Sequence, residues 1–421
     1  MPILVLFSSI GWAQSPVSSP LGPDIDRLAK EVEGSVIEWR RDIHQNPELS
    51  NREFRTSKIV EGHLRKLGLE VKTKVAHTGV VGILRGQKDT PVIALRADMD
   101  ALPITELVEV PFASKNKGVM HACGHDSHTA ILMGVAEILT KMRDRLPGTI
   151  KFIFQPSEEG APPGEEGGAA LMIKEGVLES PKPDAIFGLH VATVPTGVIG
   201  IREGGAMASA DRFKIVVKGK GSHGAMPWLG MDPIVIASQI VMGLQTIVSR
   251  QTDLTATPAV VTVGMIKGGT RHNIIPAEVE MEGTIRVFES KIRLKLHEQV
   301  KKTASSIAES AGATADVSVF LDGPIVYNDP KLTTRMIPTL QRIAGPGKVG
   351  PHPQLTAGDD FAFYQEKVPG IYYFLGVLPP GKKPFPPHTP YFFVDEKALI
   401  FGVRTMANLA VDFLVDFTGN K

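Results

Sequence analysis

The chain has 421 residues, 46 Lys+Arg against 45 Asp+Glu, a single cysteine and 43% hydrophobic residues. That length suggests two or three domains with ample apolar material for a core. Balanced charge argues against a nucleic-acid or anionic-membrane binder, one cysteine excludes an internal disulfide framework, and no apolar run approaches the roughly 20 residues of a spanning helix.

Met1 to Trp12 is apolar and short, and Ser15 to Pro23 is rich in Ser and Pro. Residues 1–23 have two readings. One is a signal peptide with its linker, which makes the protein periplasmic or secreted; the other is the N-terminal tail of a cytoplasmic protein. Asp24 to His44 then places Ile25, Leu28, Val32, Val36 and Ile43 at helical spacing, with Asp24 as N-cap. Val92 to Leu95 reads as a strand covered on both faces. Ser127 to Met142 returns to helical spacing, and Ile150 to Phe154 and Ala185 to Leu189 read as two further buried strands. Strands alternating with helices imply a largely parallel sheet wrapped by helices, an α/β class.

The texture changes after Gly204-Gly205. Arg212 to Lys218 alternates as a half-exposed strand, and Asp232-Pro233 is a cap and first-turn proline for a helix whose stripe includes Ile234, Ile240, Leu244 and Val248. Two strands (Ala259 to Ile266, Glu278 to Val287), a helix (Ser290 to Ser310) and a last strand (Ala315 to Leu321) follow. The order β-α-β-β-α-β is a split open-faced sandwich. Placed at residues 208–322, it divides a larger domain into segments 24–207 and 323–421.

Polar residues at the suspected strand ends carry the chemistry. Asp98 and Asp100 follow VIAL; His121, Cys123, His125, Asp126 and His128 crowd into MHACGHDSHTA; Glu158-Glu159 follow a strand; His190 ends IFGL; His388 sits in PPHTPYF. Ligands of α/β sheets gather beyond the carboxyl ends of strands. Thiol, imidazole and carboxylate together suit zinc, and could also hold manganese, cobalt or nickel. An adjacent glutamate pair can divide labour, one binding metal and the other acting as a base toward water.

The motifs ALRADMDALPI, HACGHDSHTA, FQPSEEG, GLH, GSHGAMP, HNIIPAEVEMEGTIR and PPHTPYF resemble the aminoacylase/carboxypeptidase family of metal-dependent amidohydrolases. The nearest branch is that of hippurate hydrolase, N-acyl-amino-acid amidohydrolases and auxin-conjugate hydrolases. The resemblance runs in order from about Asp24 to Val411. It implies a two-metal catalytic domain, mostly parallel in its sheet, with an inserted lid and dimerisation domain, and a homodimer formed there. Carried over by position, it implies two divalent ions per chain held by Cys123, His125, Glu159, His190 and His388, with Glu158 as base. Asp98 stands where the wider family has a metal-binding histidine and is not counted as a ligand; Asp100 is expected to orient one. His223 resembles an oxyanion donor that often serves the partner subunit's cleft, and Asn273 and Arg286 resemble the residues that hold a substrate carboxylate. Two departures bear on substrate preference: Trp228 where relatives commonly have histidine, and Asp359 in place of a supporting glutamate.

The reaction so implied is attack of metal-bound water on the amide of an N-acyl amino acid, with Glu158 passing the proton to the leaving amine. A carboxypeptidase or dipeptidase on short peptides is the alternative. An inactive binder of small carboxylates is disfavoured by the intact Glu158, and a structural zinc site by five ligands where four suffice.

Overall fold

The computed structural model describes residues 20–419, so the two readings of residues 1–23 fall outside the described residues except at 20–23, where the first helix begins. The chain divides into two compact units: one comprises the residues up to Gly204, Tyr327–Pro353 and the chain from Phe363 on, the other Gly205–Val326 with Gln354–Ala362.

The first unit is built on an eight-stranded mixed sheet. Its centre is parallel. Val92–Asp98 lies between Thr149–Gln155 and Ala185–Pro195, and Ala185–Pro195 pairs in turn with Gly370–Leu378. The hairpin Glu70–Val75 and Gly79–Arg85 adds antiparallel strands at one edge, and Ile199–Ile201 joins Gly370–Leu378 antiparallel near the other. Every residue of Val92–Asp98 and Thr149–Gln155 is buried, as strands sandwiched between helices must be. Phe152 and Phe154 are fully covered, each contributing roughly 1.5–3 kcal/mol by leaving water.

Helices Gly22–Gln45, His125–Thr140 and Lys397–Gly419 pack together and join one core cluster with the strands. The first helix begins before the expected cap. Leu21 is the N-cap, and Asp24 sits in the first turn, where its carboxylate favours the helix dipole and pairs with Arg27 and Arg145. The helix Phe54–Lys66 and the hairpin after it are further elements that the sequence reading does not include.

The second unit is a four-stranded antiparallel sheet in the spatial order Ala259–Gly268, Glu278–Val287, Asp211–Lys218, Thr314–Phe320. Helices Pro233–Gln251 and Ser290–Ser310 share its core. Asp232 Oδ1 accepts the Ile234 N–H (2.9 Å) and caps the first of them. On Glu278–Val287, Val279, Met281 and Ile285 are buried, side chains at odd positions that share one face of the strand.

The expectation that no stretch approaches a spanning helix needs correcting. Pro233–Gln251 and Lys397–Phe417 have the length and apolarity to cross a membrane. The second is largely buried in the core of its unit, which accounts for its composition, and the first buries Ile236, Ile240, Leu244 and Ile247.

Candidate metal centre

Cys123, His125, Glu158, Glu159, His190 and His388 all belong to the first unit, and the fold gathers them at strand ends and a helix start. Cys123 and His125 flank Gly124, which has φ +90 and lies so close to Val191 that an added Cβ would sit 2.4 Å from its side chain. Only glycine fits there. The turn delivers His125 as the first residue of its helix.

The donors fall into overlapping sets whose ligand atoms lie within 4.8 Å of one another: Cys123, His125 and His190; Cys123, Glu159 and His388; His125, Glu158 and Glu159. Cys123 Sγ is 3.3 Å from His190 Nε2. His125 Nε2 is 3.7 Å from Glu158 Oε2 and 3.9 Å from Glu159 Oε1. His388 Nε2 is 3.1 Å from Glu159 Oε1. His388 stands at φ +64, and its N–H donates to the Ala122 carbonyl (2.9 Å), tying its loop to the cysteine turn.

His190 and His125 each have their outer nitrogen committed. His190 Nδ1 donates to the Val191 carbonyl (2.7 Å), which leaves the Nε2 lone pair facing Cys123. His125 Nδ1 donates to Asp100 Oδ1 (3.1 Å), and its Nε2 is buried with no hydrogen-bond partner. A buried imidazole nitrogen left bare among a thiol and two carboxylates suits a cation. Asp100 does more than orient His125, for its Oδ2 accepts from Ser50 Oγ (2.8 Å) and from the Glu159 N–H (2.9 Å). One buried carboxylate thus sets a histidine and a glutamate of the same centre.

Electrostatics follow from burial and these partners. Burial pushes the Cys123 thiol well up. Burial also opposes the imidazolium of His125, but the nearby Asp98 charge and the hydrogen bond to Asp100 outweigh it and hold His125 well above its usual value. His190, buried and beside His128, is pushed down to about 3. The Glu159 carboxylate, 3.1 Å away, raises His388.

The other residues of the histidine-rich motif are held by other partners, although His128 and Asp98 also form a set of potential ligands with His125. His128 Nδ1 donates to Asp98 Oδ1 (2.6 Å) while its Nε2 accepts the Val191 N–H (2.9 Å), so both ring nitrogens are used. Asp98 also pairs with Arg96, so both of its oxygens have partners. Asp126 turns away to Arg40 and His44 (2.7 and 2.8 Å). His121 is buried with neither ring nitrogen hydrogen-bonded, and burial lowers it to about 4.

His223, Asn273, Arg286 and Asp359 belong to the second unit. His223 is exposed and pairs with Ile274 in a short ladder next to Asn273. The Ala225 N–H donates to His223 Nδ1 (3.0 Å), which places the ring proton on Nε2. Arg286 lies near the far end of Glu278–Val287 and donates to the Ser209 carbonyl (3.3 Å). From Glu278 to Arg286 the strand runs about 26 Å, and Asn273 lies beyond Glu278 where the chain continues the ladder toward His223. Asn273 and Arg286 thus lie toward opposite ends of this strand. Asp359 is buried and its Oδ1 accepts the Phe361 N–H (2.8 Å).

Comparison with known proteins agrees with this architecture. Thermostable carboxypeptidase 2 of Saccharolobus solfataricus is 44% identical over 388 residues, 91% of this chain and 96% of the relative. N-acetylcysteine deacetylase of Bacillus subtilis is 42% identical over 379 residues, 89% and 96% of the two chains. The crystal structure of a Bacillus subtilis protein described as a dinuclear metal binding peptidase superposes with a TM-score of 0.80 at 40% identity, covering 92% of this chain and 99% of that one. Residues 94–412 match the family described as Peptidase family M20/M25/M40, and the chain belongs to that family.

Proposed function

We propose that this protein is a metal-dependent amidohydrolase that cleaves N-acyl amino acids. The observation that carries the reading is the overlap of the donor sets around Cys123, with Glu158 alongside. Two divalent ions would be held by Cys123, His125, Glu159, His190 and His388, with zinc, manganese, cobalt and nickel as the candidates. When bound, such ions polarise an acyl oxygen and acidify water.

The chain's own residues supply the rest. Glu158 accepts the proton of the attacking water and returns it to the leaving amine. His223, protonated on Nε2, donates to the oxygen that gains charge. Arg286 pairs with the substrate carboxylate through its planar fork, and Asn273 donates a further hydrogen bond. Because Asn273 and Arg286 of one chain stand apart, this reading takes His223 and Asn273 from a second subunit. A homodimer through the inserted unit is supported by exposed Val235 and Met242 on its helix and Ile266 on its edge strand. Sedimentation at micromolar concentration should show a dimer; a stable monomer would remove His223 and Asn273 from the site.

The test of function is metal-reconstituted protein assayed for amine release against N-acyl amino acids and dipeptides. The dipeptides address the carboxypeptidase alternative, which the name of the Saccharolobus relative favours. Amidating the substrate carboxylate should cost about 2–5 kcal/mol in kcat/KM, because buried donors lose their partner. Equal values for acid and amide would defeat the carboxylate role of Arg286 and Asn273. Met226 and Trp228, both exposed and close to His223 in sequence, support a preference for an apolar or aromatic acyl group.

A further inference from the structure

The residues Asn51–Glu53 lie outside every donor set, yet the loop that carries both glutamates is anchored on them. Glu53 is fully buried. Its Oε1 accepts the backbone N–H of Asn51 (3.1 Å) and of Ser157 (2.9 Å), and its Oε2 accepts from Thr78 Oγ1 (2.5 Å). Ser157 immediately precedes Glu158 and stands at φ +58, a left-handed backbone that a non-glycine residue adopts only when its surroundings impose it. The bond from its N–H to Glu53 is such an imposition.

The far end of the loop reaches the same turn. Asn51 Nδ2 donates to Glu165 Oε2 and to the Glu166 carbonyl, both at 3.1 Å. At Gly167 an added Cβ would sit 2.8 Å from both Asn51 Oδ1 and Ser157 Oγ, so the backbone there is pressed against both residues. The loop 157–167 is thereby closed like a noose whose knot is Asn51, Glu53 and Ser157.

We propose that Glu53 is a positioning residue for the hydrolytic reaction: it fixes the Ser157 amide, and through it the placement of Glu158 and Glu159. This rests on the base role given to Glu158 above. The work is done by hydrogen-bond acceptance rather than by charge. A glutamine at 53 keeps one oxygen for the two backbone N–H groups, and its amide can donate to the Thr78 hydroxyl, which then accepts. A methionine of similar length leaves both N–H groups buried and unpaired.

Two variants of the full, metal-loaded chain test this, Glu53→Met and Glu53→Gln. Displacing a reacting group by even ~1 Å is costly to turnover, so Glu53→Met should lower kcat by about tenfold or more with KM little changed. Amide hydrogen exchange across residues 157–167 should speed up in Glu53→Met and stay slow in Glu53→Gln, which should also restore most of kcat. Wild-type exchange and kcat in Glu53→Met would overturn the proposal, as would a Glu53→Gln variant as impaired as Glu53→Met. If Glu53→Met fails to fold, Asn51→Ala must loosen the loop in the same exchange measurement, and an unchanged pattern there overturns it equally. A wild-type protein without amidase turnover would refute the base role of Glu158 yet leave the exchange comparison standing, so the two failures are distinguishable.

Discussion

Glu158→Gln should abolish most turnover while leaving the metal centre and fold in place. Glutamine is nearly isosteric with glutamate but takes no proton at neutral pH, so the loss falls on the chemical step. A positioned general base is worth on the order of 10²–10⁴-fold, and kcat should fall by that much. Glu158 side-chain oxygen Oε2 lies 3.7 Å from His125 Nε2, close enough to share the centre. It is not among the five residues assigned to the ions. Metal content by elemental analysis and the melting temperature should therefore match the wild type. A variant that keeps a tenth or more of the wild-type kcat would contradict the assignment of Glu158 as base.

The sheet's centre was readable because its strands are apolar on both faces and end in residues that apolar strands do not otherwise carry. Asp98, His190 and Glu158-Glu159 announce themselves against VIAL, IFGL and KFIF. The histidine-rich motif was less transparent. Its His, Cys and Asp residues look equivalent in sequence, but a helix starting at His125 turns about 100° per residue. Asp126 is therefore rotated toward Arg40 and His44, and His128 is left to Asp98 and Val191.

Ser50 and Glu53 gave no sequence signal at all. Glu53 is the N-cap residue of Phe54–Lys66, where an acid is ordinary, and its partners Thr78 and Ser157 are distant in sequence. A polar knot of that kind depends on which loops meet, and no local periodicity encodes it. The separation of Asn273 from Arg286 was hidden for the same reason. Both occur in one motif, HNIIPAEVEMEGTIR, but an extended strand between them makes nearness in sequence a large distance in space.

Cys123→Ala should strip the centre of metal, with an effect on activity as large as loss of the base. Cys123 belongs to both the His125–His190 set and the Glu159–His388 set, so its removal weakens both places at once. Loss of residues that merely support metal ligands costs about 10–100-fold in affinity, and loss of a shared ligand should exceed that. Elemental analysis after equilibration with micromolar metal should find two ions per wild-type chain and fewer in the variant. Lys141→Ala is the control: the ammonium is exposed and 3.4 Å from Glu137, well away from the donor sets. Protonation gives the prediction a second arm. Burial raises the Cys123 thiol, and against the opposing effect of burial the Asp98 charge raises His125, so in the metal-free protein both keep their protons to higher pH than usual. A cation must displace those protons, so affinity climbs as pH rises through the neutral range and falls on acidification. Chelator competition at about pH 6 and about pH 8 should show tighter binding at the higher value. Equal affinity at both would mean that neither group releases a proton to the ion, and with that the assignment of Cys123 and His125 as ligands would fail.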